Sequence, residues 1–294
     1  MVIELPRDRR ASGVASVERP RRIWLCADDY GISPSVNAAI RELLLRGRLN
    51  ATSVMVVAPS WSRSEANQLS SLRTPGHINA IGLHVTLTGP FRPLTASFKP
   101  LCGSVFRPLT DMIFLAWLRR LDRSALAAEI AAQLAAFSSA FGRAPDFLDS
   151  HHHVHLLPQI RDEVVAAVKT AAPKAWLRQC GSVRPVLQQL NDRKGLLLSA
   201  LSRALRRRAK AQAIAVNPAF AGSYALRPHT NFAELFPRFL DQLPDGGLIM
   251  CHPGLVDDEL KRLDSLTDLR ETEYRYFAGD AFLDVLRRRD VILA

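Results

Sequence analysis

With 294 residues, 48% of them hydrophobic and 23% charged, the chain is too long for a mini-domain. Its balance is that of an ordinary globular protein, enough for one large α/β domain or two smaller ones. The net charge of +11 invites an acidic partner. Much of that excess, however, sits in the N-terminal tail and in Arg203 to Lys210, without interleaved aromatics or a nucleic-acid motif, which argues against a nucleic-acid partner.

Residues 1–21 read as a loose basic tail and 22–294 as one domain. The tail has no apolar core of a secretory signal, and no later segment reads as long enough to span a membrane. Cys26, Cys102, Cys180 and Cys251 are scattered, with no Cys-x-x-Cys spacing, so a reducing, cytoplasmic compartment is expected and no disulfide framework.

Arg22 to Ala27 is an apolar run ending at Asp28-Asp29-Tyr30-Gly31, the pattern of a buried strand that stops at a turn. Ser33-Pro34 supplies an N-cap and an N1 proline for a helix whose apolar residues are Val36, Ala39, Ile40, Leu43 and Leu44. A strand over Thr52 to Val57, a helix from Ser60 to Leu72 and a third strand from Ile78 to Leu87, carrying His84, follow. Thr88 to Pro108 has loop composition and the length to overhang a site. Ser124 to Phe141 is helical, and Phe147 to His153 is a fourth strand running into four of the chain's eight histidines.

Gln159 to Ala172 is the next helix and Trp176 to Cys180 a fifth strand. Val186 to Gln212 reads as a long basic helix with a break near Gly195, then Ala213 to Val216 as a sixth strand and Phe232 to Leu243 as a helix. Gly247 to Pro253 is a short buried strand ending at His252. Helical segments after Asp257 and over Asp280 to Arg289 precede a last extended piece, Val291 to Leu293. Strand and helix alternate throughout, which predicts seven or so parallel strands joined by crossover helices, in a (β/α) TIM-like barrel.

In such barrels the chemistry lies at the carboxyl ends of the strands. Asp28/Asp29, His84, the histidine cluster, Arg178 and His252 all fall there. Continued strand geometry would put Asp149, His151, His153 and His155 on one face, with room for one metal to take one histidine or an adjacent pair. Two acids in different surroundings can divide a metal-ligand role from a general-base role. His84 is either a core histidine or a ligand. His252 is either a structural residue before Pro253 or an acid for a leaving group, and Arg178 either orients a base or substrate oxygen or makes a surface ion pair. His77 and His229 lie in Pro/Gly turns without an assigned role.

Ala27-Asp28-Asp29-Tyr30-Gly31, Gly82-Leu83-His84, Asp149-Ser150-His151-His152-His153-Val154-His155-Leu156-Leu157-Pro158 and Cys251-His252-Pro253-Gly254 resemble, in order, the YdjC-like carbohydrate deacetylases. That group includes chitooligosaccharide deacetylase and the hopanoid-associated deacetylase-like proteins. The resemblance implies a distorted barrel, hydrolysis of an N-acetyl group on an amino sugar or its conjugate, and a divalent cation, magnesium with zinc as the alternative. By position it implies Asp28 as base and Asp29, His84 and His151 as metal ligands. His252 matches through its local Cys-His-Pro and would be the acid. Beside that resemblance, the strand-end positions of Arg178 and His153 make them the expected substrate contacts. The stretch Lys194 to Lys210 and the tail match no part of the pattern, and a homo-oligomer stays open. The rival readings are a metallo-phosphoesterase or other amidohydrolase on the same barrel, a basic nucleic-acid-binding protein, and a metal-containing sugar-recognition protein without turnover.

Overall fold

The computed structural model describes residues 19–73, 80–99, 101–182, 193–224, 230–241 and 243–294. The expected tail therefore lies outside the described residues as far as position 18, as do His77 and His229. Arg21 does not belong to a tail: it opens the first strand, β1 (Arg21–Tyr30).

Ser33 caps α1 (Pro34–Leu45) as its sequence demands, its hydroxyl accepting the Val36 N–H at 3.3 Å. β2 (Ala51–Val54), α2 (Arg63–Ser71) and β3 (Ala80–Val85) follow. The overhanging segment contains a small hairpin, β4 (Leu101–Cys102) with β5 (Val105–Phe106), and leads into α3 (Leu109–Trp117), which sequence periodicity does not reveal. α4 (Arg123–Phe141), β6 (Phe147–Ser150), α5 (Ile160–Ala171) and β7 (Trp176–Leu177) come next. α6 (Arg193–Ala211) runs unbroken through Gly195, and the expected start of this helix at 186–192 lies outside the described residues. β8 (Phe220–Ala221), α7 (Phe232–Leu240), β9 (Leu248–Cys251), α8 (Asp258–Leu263), α9 (Asp268–Ala278), α10 (Asp280–Arg288) and β10 (Val291–Leu293) complete the chain.

Seven parallel strands form one curled sheet in the order β7-β6-β3-β2-β1-β9-β8, with β10 pairing the start of β1. β7 and β8 are not paired with each other. Among the described residues, the chain between them spans the gap through a single parallel bridge, Leu177 to Val216, and through the Phe220 N–H, which donates to the Gly181 carbonyl at 3.2 Å. The predicted sixth strand, Ala213 to Val216, is therefore only that bridge. Ala213 has φ +56, and the Asn217 side chain replaces a strand neighbour, accepting the Gln179 N–H at 2.7 Å and donating to its carbonyl at 3.1 Å.

β1 is central and carries the most apolar burial, with Ile23, Leu25, Cys26, Ala27 and Tyr30 all fully enclosed. Each such aliphatic or aromatic side chain contributes about 1.5–3 kcal/mol on burial. A Cβ on Gly82 of β3 would stand 2.4 Å from the Phe147 ring, so glycine there lets β6 approach β3.

α4 corrects one expectation. By length and composition it could cross a membrane. It packs on α5, α2 and β3, however, and buries Glu129 and Gln133. Those two side chains are fully used: Glu129 accepts the Leu94 and Thr95 N–H groups, and Gln133 bonds both backbone groups of Thr86. α4 is a core helix that ties down the overhanging loop.

Candidate metal centre

The acids at the end of β1 owe their placement to a bulge. Ala27 pairs with Thr52 and Tyr30 with Val54, so β1 holds one residue more than β2 between the two pairs. Asp29 takes up the extra residue at φ +67, a left-handed conformation uncommon outside glycine. Strict alternation would send Asp28 and Asp29 to opposite faces; the bulge turns both into the same cavity.

The fourth strand is shorter than its sequence suggests. It ends at Ser150, and residues His151–Leu156 form a 3-10 turn in which His152 and His153 have φ of +55 and +58. The Ser150 hydroxyl stabilises this turn by accepting the His155 N–H at 2.9 Å and meeting His155 Nδ1 at 2.7 Å. Consequently the four histidines do not share a strand face. His155 is a buried structural residue whose Nε2 meets the Arg178 carbonyl at 2.8 Å, and burial lowers its pKa to about 4. His152 meets the Thr88 hydroxyl at 3.0 Å, and His153 stands edge-on to Phe220 with Cys180 Sγ 3.6 Å from its Nδ1. Only His151 of the cluster joins Asp29.

Asp29 Oδ1 lies 3.2 Å from His84 Nε2 and 3.1 Å from His151 Nδ1. All three side chains are buried, and their ligand atoms lie within 4.8 Å of one another. Two imidazole nitrogens converging on one carboxylate oxygen is an arrangement that a single cation would satisfy. The outer partners are also in place. His84 Nδ1 meets Asp149 Oδ1 at 2.7 Å and the Ser53 hydroxyl at 2.9 Å, which fixes the ring with Nε2 facing Asp29. Arg270, from α9, holds the other Asp29 oxygen at 2.6 Å and Asp264 at 2.6 Å, leaving Oδ1 for a metal.

A second group of close ligand atoms, Cys26, Asp28 and Asp149, already contains its cation. The fully buried Arg178 guanidinium sits among them, donating to Asp28 at 2.6 and 2.7 Å, standing 3.0 Å from Cys26 Sγ, and pairing with Asp149. Arg178 is thus neither on the surface nor on the wall of the cavity, and the expected substrate contact is corrected to a residue that lies beneath Asp28 and orients it.

The cavity above these groups has a volume of about 240 Å³. Asp28, Asp29, His84, His151, His153 and His252 all line it, together with Arg270, Asp264 and Tyr224, which local sequence pattern does not single out. Gly222, at φ +96, also lines it, and a Cβ there would fall 2.0 Å from the Met250 carbonyl oxygen. His252 is held by its backbone, whose N–H donates to Glu273 at 2.6 Å; Tyr224 donates to the other Glu273 oxygen at 2.6 Å. Burial pushes Glu273 up to about 7.

The YdjC-like protein family pattern matches residues 22–288. The chain belongs to the YdjC-like family. It is 28% identical over 236 residues to chitooligosaccharide deacetylases of Yersinia pestis (strain Pestoides F) and Yersinia pseudotuberculosis serotype O:1b (strain IP 31758), covering 80% of this chain and 82% of each relative. Its fold is similar to that of a solved protein of Enterococcus faecalis V583 named for cellobiose-phosphate cleavage, with a TM-score of 0.69 at 20% identity, over 94% of this chain and 97% of the other.

In this YdjC-like chain the charges of the site are finely opposed. Burial penalises the Asp28 and Asp29 carboxylates, but Arg178 with His84 and His252 around the first, and Arg270 with His151 and His84 around the second, together outweigh it and hold both below the usual carboxylate range. For His84 burial favours the neutral ring, yet the Asp149 carboxylate and the hydrogen bonds to Asp149 and Asp29 raise it to about 10. That proton must leave before His84 Nε2 can bind a cation, so acid pH opposes metal uptake. Burial lowers His252, which therefore rests neutral near pH 7.

Proposed function

We propose that this chain is a metal-dependent hydrolase that removes the N-acetyl group of an amino sugar or its oligosaccharide or conjugate. The carrying observation is the division between two adjacent acids. Asp29 stands between two histidine nitrogens at 3.1–3.2 Å, while Asp28 is kept apart by Arg178 in the wall of the same cavity. The names of the Yersinia relatives support the choice of an acetylated sugar as substrate.

Asp29, His84 and His151 would hold the ion. Two imidazoles and one carboxylate suit zinc or a similar transition ion better than magnesium, which prefers oxygen donors and keeps several waters. We therefore place zinc ahead of the magnesium that family resemblance implies. Bound there, a divalent ion makes water more acidic and polarises the carbonyl it faces.

The chain's own residues complete the reaction. Asp28, ionised throughout the working pH range and oriented through both oxygens by Arg178, receives the proton of the attacking water. His252, neutral at rest and fixed through its backbone by Glu273, would take up the proton that Asp28 receives from the water and, as imidazolium, pass it to the amine nitrogen as the C–N bond breaks. Tyr224 and His153 line the space left for the sugar.

The test is a substrate panel. Purified protein loaded with zinc should release acetate from N-acetylated chitooligosaccharides and no phosphate from sugar phosphates. Chelation should abolish the release and zinc restore it. Phosphate release without acetate release would replace the deacetylase reading with a phosphoesterase.

A further inference from the structure

From Met112 onward α3 is apolar on all sides, yet it covers only one of them. Met112 and Ala116 turn inward and are fully buried. Phe114, Trp117 and Leu118, spaced i, i+3 and i+4, form an outward stripe at 61%, 54% and 46% exposure. An all-round apolar helix is ordinarily buried, so this stripe is unusual on a chain otherwise studded with charge.

The surroundings of the stripe are basic. The helix ends at Trp117, Arg119 then turns the chain at φ +55, and both Arg119 and Arg120 are exposed. Arg123 begins α4 next to them and shares a surface hollow with Arg208 from α6. Each of the two is already paired with an acid of α5, Arg123 with Glu163 at 2.7 Å and Arg208 with Asp162 at 3.3 Å, while Arg206 and Arg207 stand exposed beside them. The end of α3, the start of α4 and the basic end of α6 therefore belong to one face, around α5 and the 3-10 turn on which both α3 and α6 pack. α3 also leads inward, packing on the 3-10 turn, and its first residue, Leu109, lines the metal-centre cavity about 12 Å along the helix from Trp117.

We propose that the outer face of α3 docks on an anionic lipid bilayer, with Phe114, Trp117 and Leu118 entering the headgroup boundary and the exposed Arg119, Arg120, Arg206 and Arg207 meeting the lipid phosphates. Charge decides between occupants. A second copy meeting this patch symmetrically would bring the same arginines against each other. A nucleic acid would satisfy the arginines but offer no hydrocarbon to Phe114 and Leu118. A bilayer surface supplies both, and interfacial tryptophan beside arginine is the pattern that such surfaces select. The inference stands independently of the reaction assigned to the cavity.

The experiment is sedimentation of the full chain with vesicles, either of phosphatidylcholine alone or of an equal mixture with phosphatidylglycerol. The protein should sediment with the anionic vesicles, release at high salt, and remain in solution with the neutral ones. F114S/W117S and R119E/R120E should each weaken partitioning roughly tenfold or more. Both alter exposed side chains, and unchanged thermal unfolding would verify that each variant is folded. Trp117→Phe should keep the binding but lose the blue shift of tryptophan emission that accompanies it. Failure to sediment with anionic vesicles, or binding unchanged in both double variants, would overturn the proposal. So would a lipid-free dimer abolished by F114S/W117S, which would assign the face to a second copy.

Discussion

An Asp28→Asn variant is expected to bind metal within a few-fold of the native protein and to lose about 10²–10⁴ in turnover. The substitution preserves shape but removes the acceptor that takes the proton of the attacking water. Asp28 does not contact the proposed ligands directly: its oxygens are occupied by Arg178 at 2.6 and 2.7 Å and by Ser53 at 3.3 Å. Asp29, His84 and His151 therefore stay in place. The new amide group would face guanidinium donors, so a lower melting temperature should accompany the loss of activity. Metal titration and single-turnover acetate release on the same preparation check both halves. Turnover within tenfold of native would remove Asp28 as the base.

Arg178→Met is expected to cost about 3–5 kcal/mol of stability. Asp28 and Asp149 are 1% and 0% exposed, and both pair with this one guanidinium. Removing it leaves Asp28 buried without a paired cation and Asp149 with His84 as its remaining partner, and the methionine replaces only the packing. Lysine should recover part of the loss, because one ammonium cannot match the two-oxygen fork to Asp28. Urea unfolding of the three proteins measures the difference. A cost below about 1 kcal/mol would mean that the buried carboxylates find another partner or stay protonated.

Much of the site is legible from strand ends. Apolar runs that stop at Asp28-Asp29, His84, Asp149 and His252 announce buried polar groups, and burial without a partner is too costly to be incidental. The parallel order of the seven-stranded sheet then brings those ends together. What alternation cannot anticipate is where backbone leaves the strand. His151 and His153 look equivalent two residues apart, but the left-handed turn at His152 and His153 gives only His151 to Asp29. The same limit hides the β1 bulge, without which Asp28 and Asp29 would diverge.

Arg270 and Glu273 were illegible for another reason. They lie on α9, more than 240 positions from Asp29, in a charged helix whose local pattern gives no hint that two side chains are buried. Only tertiary packing shows that Arg270 pins Asp29 and that Glu273 seats the His252 backbone. Arg178 occupied an intermediate position: its place after β7 was readable, its fully enclosed pairing with two acids was not. α3 is not legible because its run from Met112 to Trp117 is apolar on every side and so has no periodicity.

The central claim is that Asp29, His84 and His151 close around one divalent ion, and the most direct measurement is anomalous diffraction from crystals grown with zinc. The account predicts one strong peak about 2.0–2.2 Å from an oxygen of Asp29 and from one nitrogen of each histidine. A peak bound elsewhere, with these three side chains still meeting only one another, would contradict it.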